Sequence, residues 1–433
     1  MIQSIPWGYN ANLTLHTHED SVKLPMKAGD ATAMIPLRKL VQNLLSVKPG
    51  YVKLNPYLFN GTLQTMYYSK EFNKHQIFYG RQLVKFQDKG TASADFVILP
   101  ESKADFSKKS AETIPEGWPR MNRNTRFLST EEVGKLYSDM APEKPIVVIL
   151  HGLGGGSHEP LVRAIADRLY SGNKYDVVVL NSRGCSRTKI STPELFNALS
   201  TGDIREFVAN LKEAYPNKPV YAVGLSFGGT ILGNFLGEDS DKCLVDAACV
   251  ISAPWDLVDS AYHIGNSYSG KHMFGPAVAS FLHRLIKNNK QELSENWPDF
   301  FTPELLNRKF QSTIEFDNLI TAPLVGFHCA NDYYREGSPV NRIFDIHTPT
   351  LILNSTDDPV VSVRLPYDEV RSNPWLCMVE TDLGGHLGYM KPGNESWTAD
   401  LISDYFEEFT KTVNMSVKPE STYKRRMDWK NHS

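Results

Sequence analysis

The sequence predicts an α/β fold: a mostly parallel sheet with helices on both faces and a helical insertion. Three observations carry this. Ile146-Val147-Val148-Ile149-Leu150 is a short, fully apolar run, as is Val177-Val178-Val179-Leu180 after Asp176; such runs read as strands covered on both faces. Helix-like stretches separate them, and strand–helix alternation argues for parallel pairing. Gly224-Leu225-Ser226-Phe227-Gly228 follows the apolar run Val220-Tyr221-Ala222-Val223 and precedes a helix-like stretch. A serine so flanked is expected on a tight turn, with its hydroxyl exposed above the sheet.

Taken in order, residues 1–75 mix polar segments with aromatic clusters such as Leu54-Asn55-Pro56-Tyr57-Leu58-Phe59 and read as an N-terminal extension. Residues 81–86 and 91–99 form a hairpin around Asp88-Lys89-Gly90. Residues 100–144, rich in Lys, Ser, Glu and Pro, read as a loop insertion. Strand 146–150 leads to a helix over 159–170, with Leu161, Ile165 and Leu169 on one face. Strand 176–180, a helix over 203–214, strand 220–223, a helix and strand 247–251 follow. From Trp255 to Arg342 the alternation stops; this aromatic, helix-like segment is expected to cap the site. Strands 350–354 and 375–380 and a helix over 397–409 complete the core. The polar tail from Val417, with Lys424-Arg425-Arg426, reads as frayed. The expected organisation is an extension at 1–75, a core in two parts at 76–254 and 343–413, a cap at 255–342 and a tail at 414–433.

A content of 41% hydrophobic and 22% charged residues supports a large core and argues against global disorder. A net charge of −3, without a basic motif, argues against nucleic acid as a partner. Cys185, Cys243, Cys249, Cys329 and Cys377 are scattered. They read as free thiols of a reducing compartment, not as a disulfide set or zinc site. The first residues lack a basic n-region and a long apolar stretch, and no run is long enough to cross a bilayer. A soluble, intracellular chain is expected, cytoplasmic or peripheral on membranes or lipid droplets, with no metal and no cofactor. The sequons at Asn12, Asn60, Asn354 and Asn394 then read as chance matches.

A serine hydroxyl needs a base within hydrogen-bond reach, and the base needs a third group to hold its tautomer. Asp358 and His386 each follow an expected strand end, in the order Ser, Asp, His, so both reach the sheet edge where Ser226 is expected. Backbone N–H groups of Phe227 and of Leu153, in His151-Gly152-Leu153-Gly154-Gly155-Gly156, are the candidate oxyanion donors. Asp357 and Asp256 are alternative acids, and His151 reads as a loop-shaping residue. The glycine run lacks a G-K-[ST] ending and dinucleotide spacing, so it is not a phosphate loop. His16-Thr17-His18-Glu19-Asp20 matches an H-x-x-x-D pattern but lies in a polar region and reads as a solvated segment.

Together with Leu180-Asn181-Ser182-Arg183-Gly184-Cys185, Ala253-Pro254-Trp255-Asp256-Leu257, Asp357-Asp358-Pro359-Val360-Val361 and Gly384-Gly385-His386-Leu387, these motifs resemble the AB-hydrolase 4 family, of the α/β-hydrolase fold. Trp7-Gly8-Tyr9-Asn10, residues 56–65 and Glu315-Phe316-Asp317 extend the likeness over nearly the whole chain. It is strongest to the branch of yeast medium-chain fatty acid ethyl ester synthases/esterases, also called octanoyl-CoA:ethanol acyltransferases. The resemblance implies Ser226, Asp358 and His386 as a triad. It implies medium-chain acyl-CoA, ethanol and fatty acyl esters as substrates. Monoacylglycerol lipases and phospholipase-like proteins share similar motifs, so that activity is the alternative. A lipid carrier on an inactivated fold is a third reading, and such chains usually lose the nucleophile or the histidine.

Overall fold

Period-two alternation turns the apolar runs into a sheet with two buried faces. The computed structural model describes residues 10–28, 33–68, 75–122, 124–361, 364–419 and 423. Among these, eleven strands join one sheet: β1 (Asn10–Thr17), β2 (Tyr51–Lys53), β3 (Phe78–Lys85), β4 (Thr91–Ile98), β5 (Thr125–Phe127), β6 (Ile146–Leu150), β7 (Asp176–Asn181), β8 (Val220–Leu225), β9 (Ala247–Ile251), β10 (Thr350–Ser355) and β11 (Leu376–Thr381). Their spatial order is β2-β1-β11-β10-β9-β8-β6-β7-β4-β3-β5. The six from β11 to β7 are parallel throughout. The β3–β4 hairpin adds antiparallel to β7.

Val147, Ile149, Val177, Val179 and Val223 face one way, against Leu161, Ile165 and Leu169 of the helix Pro160–Tyr170 and Tyr405 and Phe406 of the helix Trp397–Thr412. Ile146, Val148, Val178, Ala222 and Val250 face the other way. They meet Phe207 and Leu211 of the helix Thr201–Ala214 and Phe235 of the helix Phe227–Asp239. Each fully buried Val or Leu contributes roughly 1.5–3 kcal/mol, so both faces hold the parallel strands, and with them the loops at their carboxyl ends.

Two expectations are corrected, the solvated segment around His16 and the loop at 100–144. The N-terminal extension supplies β1, where Ala11, Leu13 and Leu15 alternate with polar residues, and β2. β1 pairs antiparallel with β11, Leu13 opposite Thr381. His16 is buried in β1, not solvated: its Nε2 meets Glu380 Oε2 at 2.9 Å and its Nδ1 meets Arg371 Nη2 at 2.8 Å. The 100–144 stretch is not a loop. It forms the helices Lys103–Thr113 and Thr130–Asp139 and strand β5. Neither helix buries a side chain fully, and the one short apolar stripe is Val133, Leu136 and Tyr137, of which Leu136 and Tyr137 pack half-buried against the core. The clearer mark is at the N-termini, where Ser102 accepts from Asp105 N–H and Ser129 forms a capping box with Glu132.

Between β9 and β10 the chain is helical, through Leu257–Asn266, Gly275–Asn288 and Ala330–Gly337, with single π turns at Gly270–Phe274 and Asp317–Thr321. Asn354 lies in the interior strand β10 with a fully buried side chain, which bars glycosylation of the folded chain there. Lys424-Arg425-Arg426 and Trp7-Gly8-Tyr9 lie outside the described residues. No helix among those described is long and apolar enough to cross a membrane.

The hairpin is tied to the loop after β6 by a buried ion pair. Arg81 Nε and Nη2 donate to Asp95 at 2.6 and 2.7 Å, Ser157 Oγ donates to the same carboxylate at 2.5 Å, and Arg81 Nη1 donates to Ser186 O at 2.7 Å. Neither charged side chain reaches solvent. Arg81→Met leaves Asp95 buried without its cation. It is expected to cost about 3–5 kcal/mol of unfolding free energy, measured by denaturant titration, and Arg81→Met/Asp95→Leu should cost less.

Candidate active site

A sharp turn between β8 and the helix Phe227–Asp239 presents Ser226. The residue holds φ 51° and ψ −119°, a strained conformation for a side chain with a Cβ. The flanking glycines are required by contact. A Cβ on Gly224 would lie 2.6 Å from Gly228 O, and one on Gly228 would lie 2.4 Å from His151 O. The turn is fixed by its backbone: Ser226 N–H donates to Ile251 O at 2.8 Å and Gly229 N–H to Ser226 O at 2.8 Å.

The carboxyl ends of β10 and β11 bring two distant residues to that hydroxyl. Ser226 Oγ lies 2.8 Å from His386 Nε2, and His386 Nδ1 lies 2.8 Å from Asp358 Oδ2. The other Asp358 oxygen accepts the Val360 and Val361 N–H groups at 2.8 and 2.9 Å. Asp358 is 2% exposed and His386 9%, so water is largely kept from their contact.

The alternative acids are engaged elsewhere. Asp357 Oδ1 accepts the N–H groups of Gly384 and Gly385 at 3.0 and 2.8 Å and the Ser355 hydroxyl at 2.6 Å, bracing the loop that carries His386. Burial raises the Asp357 pKa. Asp256 caps the helix Leu257–Asn266 by accepting Asp259 N–H at 3.0 Å. His151 Nε2 accepts Ser182 N–H at 3.0 Å while Nδ1 meets Gly152 O at 2.7 Å. Burial pushes its pKa down to about 4, so it is a neutral strut between two loops.

Leu153 and Phe227 both line the cavity on which Ser226 opens. The Phe227 N–H begins a 13-residue helix, whose dipole favours negative charge at that end. A Cβ on Gly152 would lie 3.6 Å from Ser226 Cβ, so the Leu153 loop passes directly beside the serine. Neither amide donates to an acceptor among the described residues.

The cavity measures about 1010 Å³. The cap supplies apolar walls, among them Ile264, Phe274, Val278 and Phe316. Tyr68, Asn122, Glu159 and Arg163 bring polar groups to it. Burial pushes the Glu159 pKa up to about 7 and that of Asp317, in the cap, to about 6.

One residue that the sequence reading omitted touches the relay. Thr65 Oγ1 accepts the His386 N–H at 2.8 Å and donates to Gly61 O at 2.7 Å. Thr65 ends the 56–65 stretch of the likeness, but nothing local ties it to His386, and the long-range packing of the helix Gly61–Tyr68 brings it there. Thr65→Val leaves a buried N–H unpaired, at a cost of about 1–3 kcal/mol. Turnover is expected to fall about tenfold with little change in KM, and Thr65→Ser should restore it. Steady-state kinetics on a 4-nitrophenyl ester checks both.

Residues 145–392 match a family model described as alpha/beta hydrolase fold. The chain is 40% identical to the medium-chain fatty acid ethyl ester synthase/esterase 2 of Saccharomyces cerevisiae, over 95% of this chain and 98% of that one. It is 36% identical to the monoacylglycerol lipase of the same yeast, over 84% of this chain and 82% of that one. Among solved structures it is similar to the esterase Pf2001 of Pyrococcus furiosus, at a TM-score of 0.44 and 14% identity, over 77% of this chain and 93% of that one.

Proposed function

This chain belongs to the alpha/beta hydrolase fold family, and on that footing we propose that it is a serine-dependent acyltransferase and esterase. In this reading it makes medium-chain fatty acid ethyl esters from acyl-CoA and ethanol, and hydrolyses such esters. The observation that carries the proposal is the unbroken relay of two 2.8 Å contacts from Ser226 through His386 to Asp358. His386 takes the proton of Ser226 as Oγ attacks the acyl carbonyl. The amides of Phe227 and Leu153 hold the oxyanion, and His386 then protonates the leaving group. Ethanol or water, deprotonated by His386, attacks acyl-Ser226 and releases an ethyl ester or a fatty acid. The cap forms the acyl-chain wall, each buried methylene contributing roughly 0.8 kcal/mol.

Product analysis with octanoyl-CoA, with and without ethanol, tests this reading. Ethyl octanoate is expected with ethanol and octanoate without it; release of octanoate alone in both would remove the transferase half. Monoacylglycerol hydrolysis is the second reading, favoured by the hydroxyl, amide and carboxyl groups of Tyr68, Asn122 and Glu159 at the cavity wall, which suit a glycerol headgroup. A kcat/KM for 1-octanoylglycerol well above that for octanoyl-CoA plus ethanol would select it. A carrier without catalysis should not react with a fluorophosphonate probe.

A further inference from the structure

A second cavity, of about 1080 Å³, adjoins the first, and Asn122 and Arg163 line both. Among the described residues, its wall carries Lys103, Arg120, Arg163 and Arg187 against a single carboxylate, Glu101. That carboxylate is already committed: Arg126 donates to both its oxygens at 3.0 and 2.7 Å, and Lys109 Nζ donates at 2.7 Å. His75, also on the wall, meets Asp167 at 2.6 Å. Lys103, Arg120 and Arg187 form no ion pair among the described residues. Glu159 and Asp317, the acids of the first cavity, do not line the second. In a chain of net charge −3, this concentration of positive charge is local.

The backbone holds part of that charge in place. Ser186 and Arg187 both take positive φ, 50° and 63°, where a residue with a Cβ is strained by about 1–3 kcal/mol. The buried Arg81 holds them there by donating to Ser186 O at 2.7 Å and Ser186 Oγ at 3.0 Å. Asn122 Nδ2 adds a bond to Ser186 Oγ at 3.2 Å. Arg187 Nη1 in turn donates to the backbone carbonyl of Arg120, which fixes the Arg187 side chain against the segment that carries Arg120. Lys103, Arg120 and Arg187 are exposed on the wall of one cavity, and ammonium and guanidinium groups converging on one space suit phosphate oxygens.

We propose that this second cavity is an anion-binding annex, in which Lys103, Arg120 and Arg187 hold the phosphate-bearing part of an acyl donor whose acyl carbon lies at Ser226. This rests on the reading of Ser226 as the acyl acceptor. Two sources share that chemistry: the nucleotide end of an acyl thioester and a phosphorylated lipid headgroup. A neutral ester leaves the annex empty.

The test uses the full chain and Arg120→Gln/Arg187→Gln, with hydrolysis of neutral 4-nitrophenyl octanoate as the readout. Coenzyme A and 1-octanoylglycerol 3-phosphate serve separately as inhibitors. The variant is expected to hydrolyse the neutral ester at the parent rate. At least one probe should inhibit the parent, with an inhibition constant at least about tenfold weaker in the variant and weaker at higher salt. Inhibition by coenzyme A alone identifies the nucleotide source, by the lysophosphatidate alone the lipid source, and by both a site for phosphate esters generally. Absence of inhibition, or equal constants in parent and variant, overturns the annex. A parent chain that fails to hydrolyse the neutral ester overturns the reading of Ser226 instead, and calorimetric titration of the same two probes then decides the annex by itself.

Discussion

Ser226→Ala is expected to lower turnover of an octanoyl ester by about 10⁴–10⁶-fold without unfolding the chain. The hydroxyl is the atom that meets His386 Nε2 at 2.8 Å, and alanine removes the proposed nucleophile outright. The turn around it is held by backbone bonds to Ile251 O and from Gly229 N–H, which alanine keeps. Melting temperature should therefore move little, whereas fluorophosphonate labelling should vanish. Ser226→Gly separates the two effects further. Glycine tolerates φ near 51° without strain, so that variant should be as inactive as Ser226→Ala yet more stable by about 1 kcal/mol. A Ser226→Ala protein that retains normal turnover would rule out the covalent mechanism.

What the sequence reveals of this molecule follows the range of the interaction concerned. Val147 and Val148 betray their strand because every residue of that run is buried, one face or the other, and the apolar run is a local record of it. The elbow is legible at Gly224 and Gly228 because contact leaves no room for a Cβ within a few residues of the serine. The helices Lys103–Thr113 and Thr130–Asp139 leave a faint apolar record, since they bury no side chain fully and only Leu136 and Tyr137 pack half-buried against the core. The capping box at Ser129 and Glu132 is their local sign. The partner of β1 is hidden for another reason. Its place beside β11 is set by pairing across more than 350 residues, Leu13 with Thr381, and the alternation of Ala11, Leu13 and Leu15 with polar neighbours does not say which strand it joins. The same distance hides Thr65, which acts on His386 from a different part of the chain. The proposed annex is hidden likewise, because Lys103, Arg120 and Arg187 come from separate segments whose charges look dispersed until the fold collects them.

The neighbouring acids Asp357 and Asp358 should respond to the same substitution in opposite degree. Asp358→Asn is expected to cost about 10⁴-fold in kcat, through the tautomer of His386. One Asp358 oxygen is fixed by the Val360 and Val361 N–H groups. An asparagine there must turn its carbonyl oxygen to those donors and its NH₂ to His386 Nδ1. The ring can then accept at Nδ1 only by carrying its proton on Nε2, where Ser226 needs a lone pair. The serine loses its base although every heavy atom stays in place. Asp357→Asn keeps a carbonyl oxygen for Gly384 and Gly385 and leaves the His386 tautomer alone, so its loss should be no more than about tenfold. Asp256→Asn exchanges one good helix cap for another and should be close to neutral. The three variants, assayed side by side at one pH on the same neutral ester, place the carboxylate. A larger loss at Asp357 or Asp256 than at Asp358 would mean that the relay is completed by a different acid during turnover.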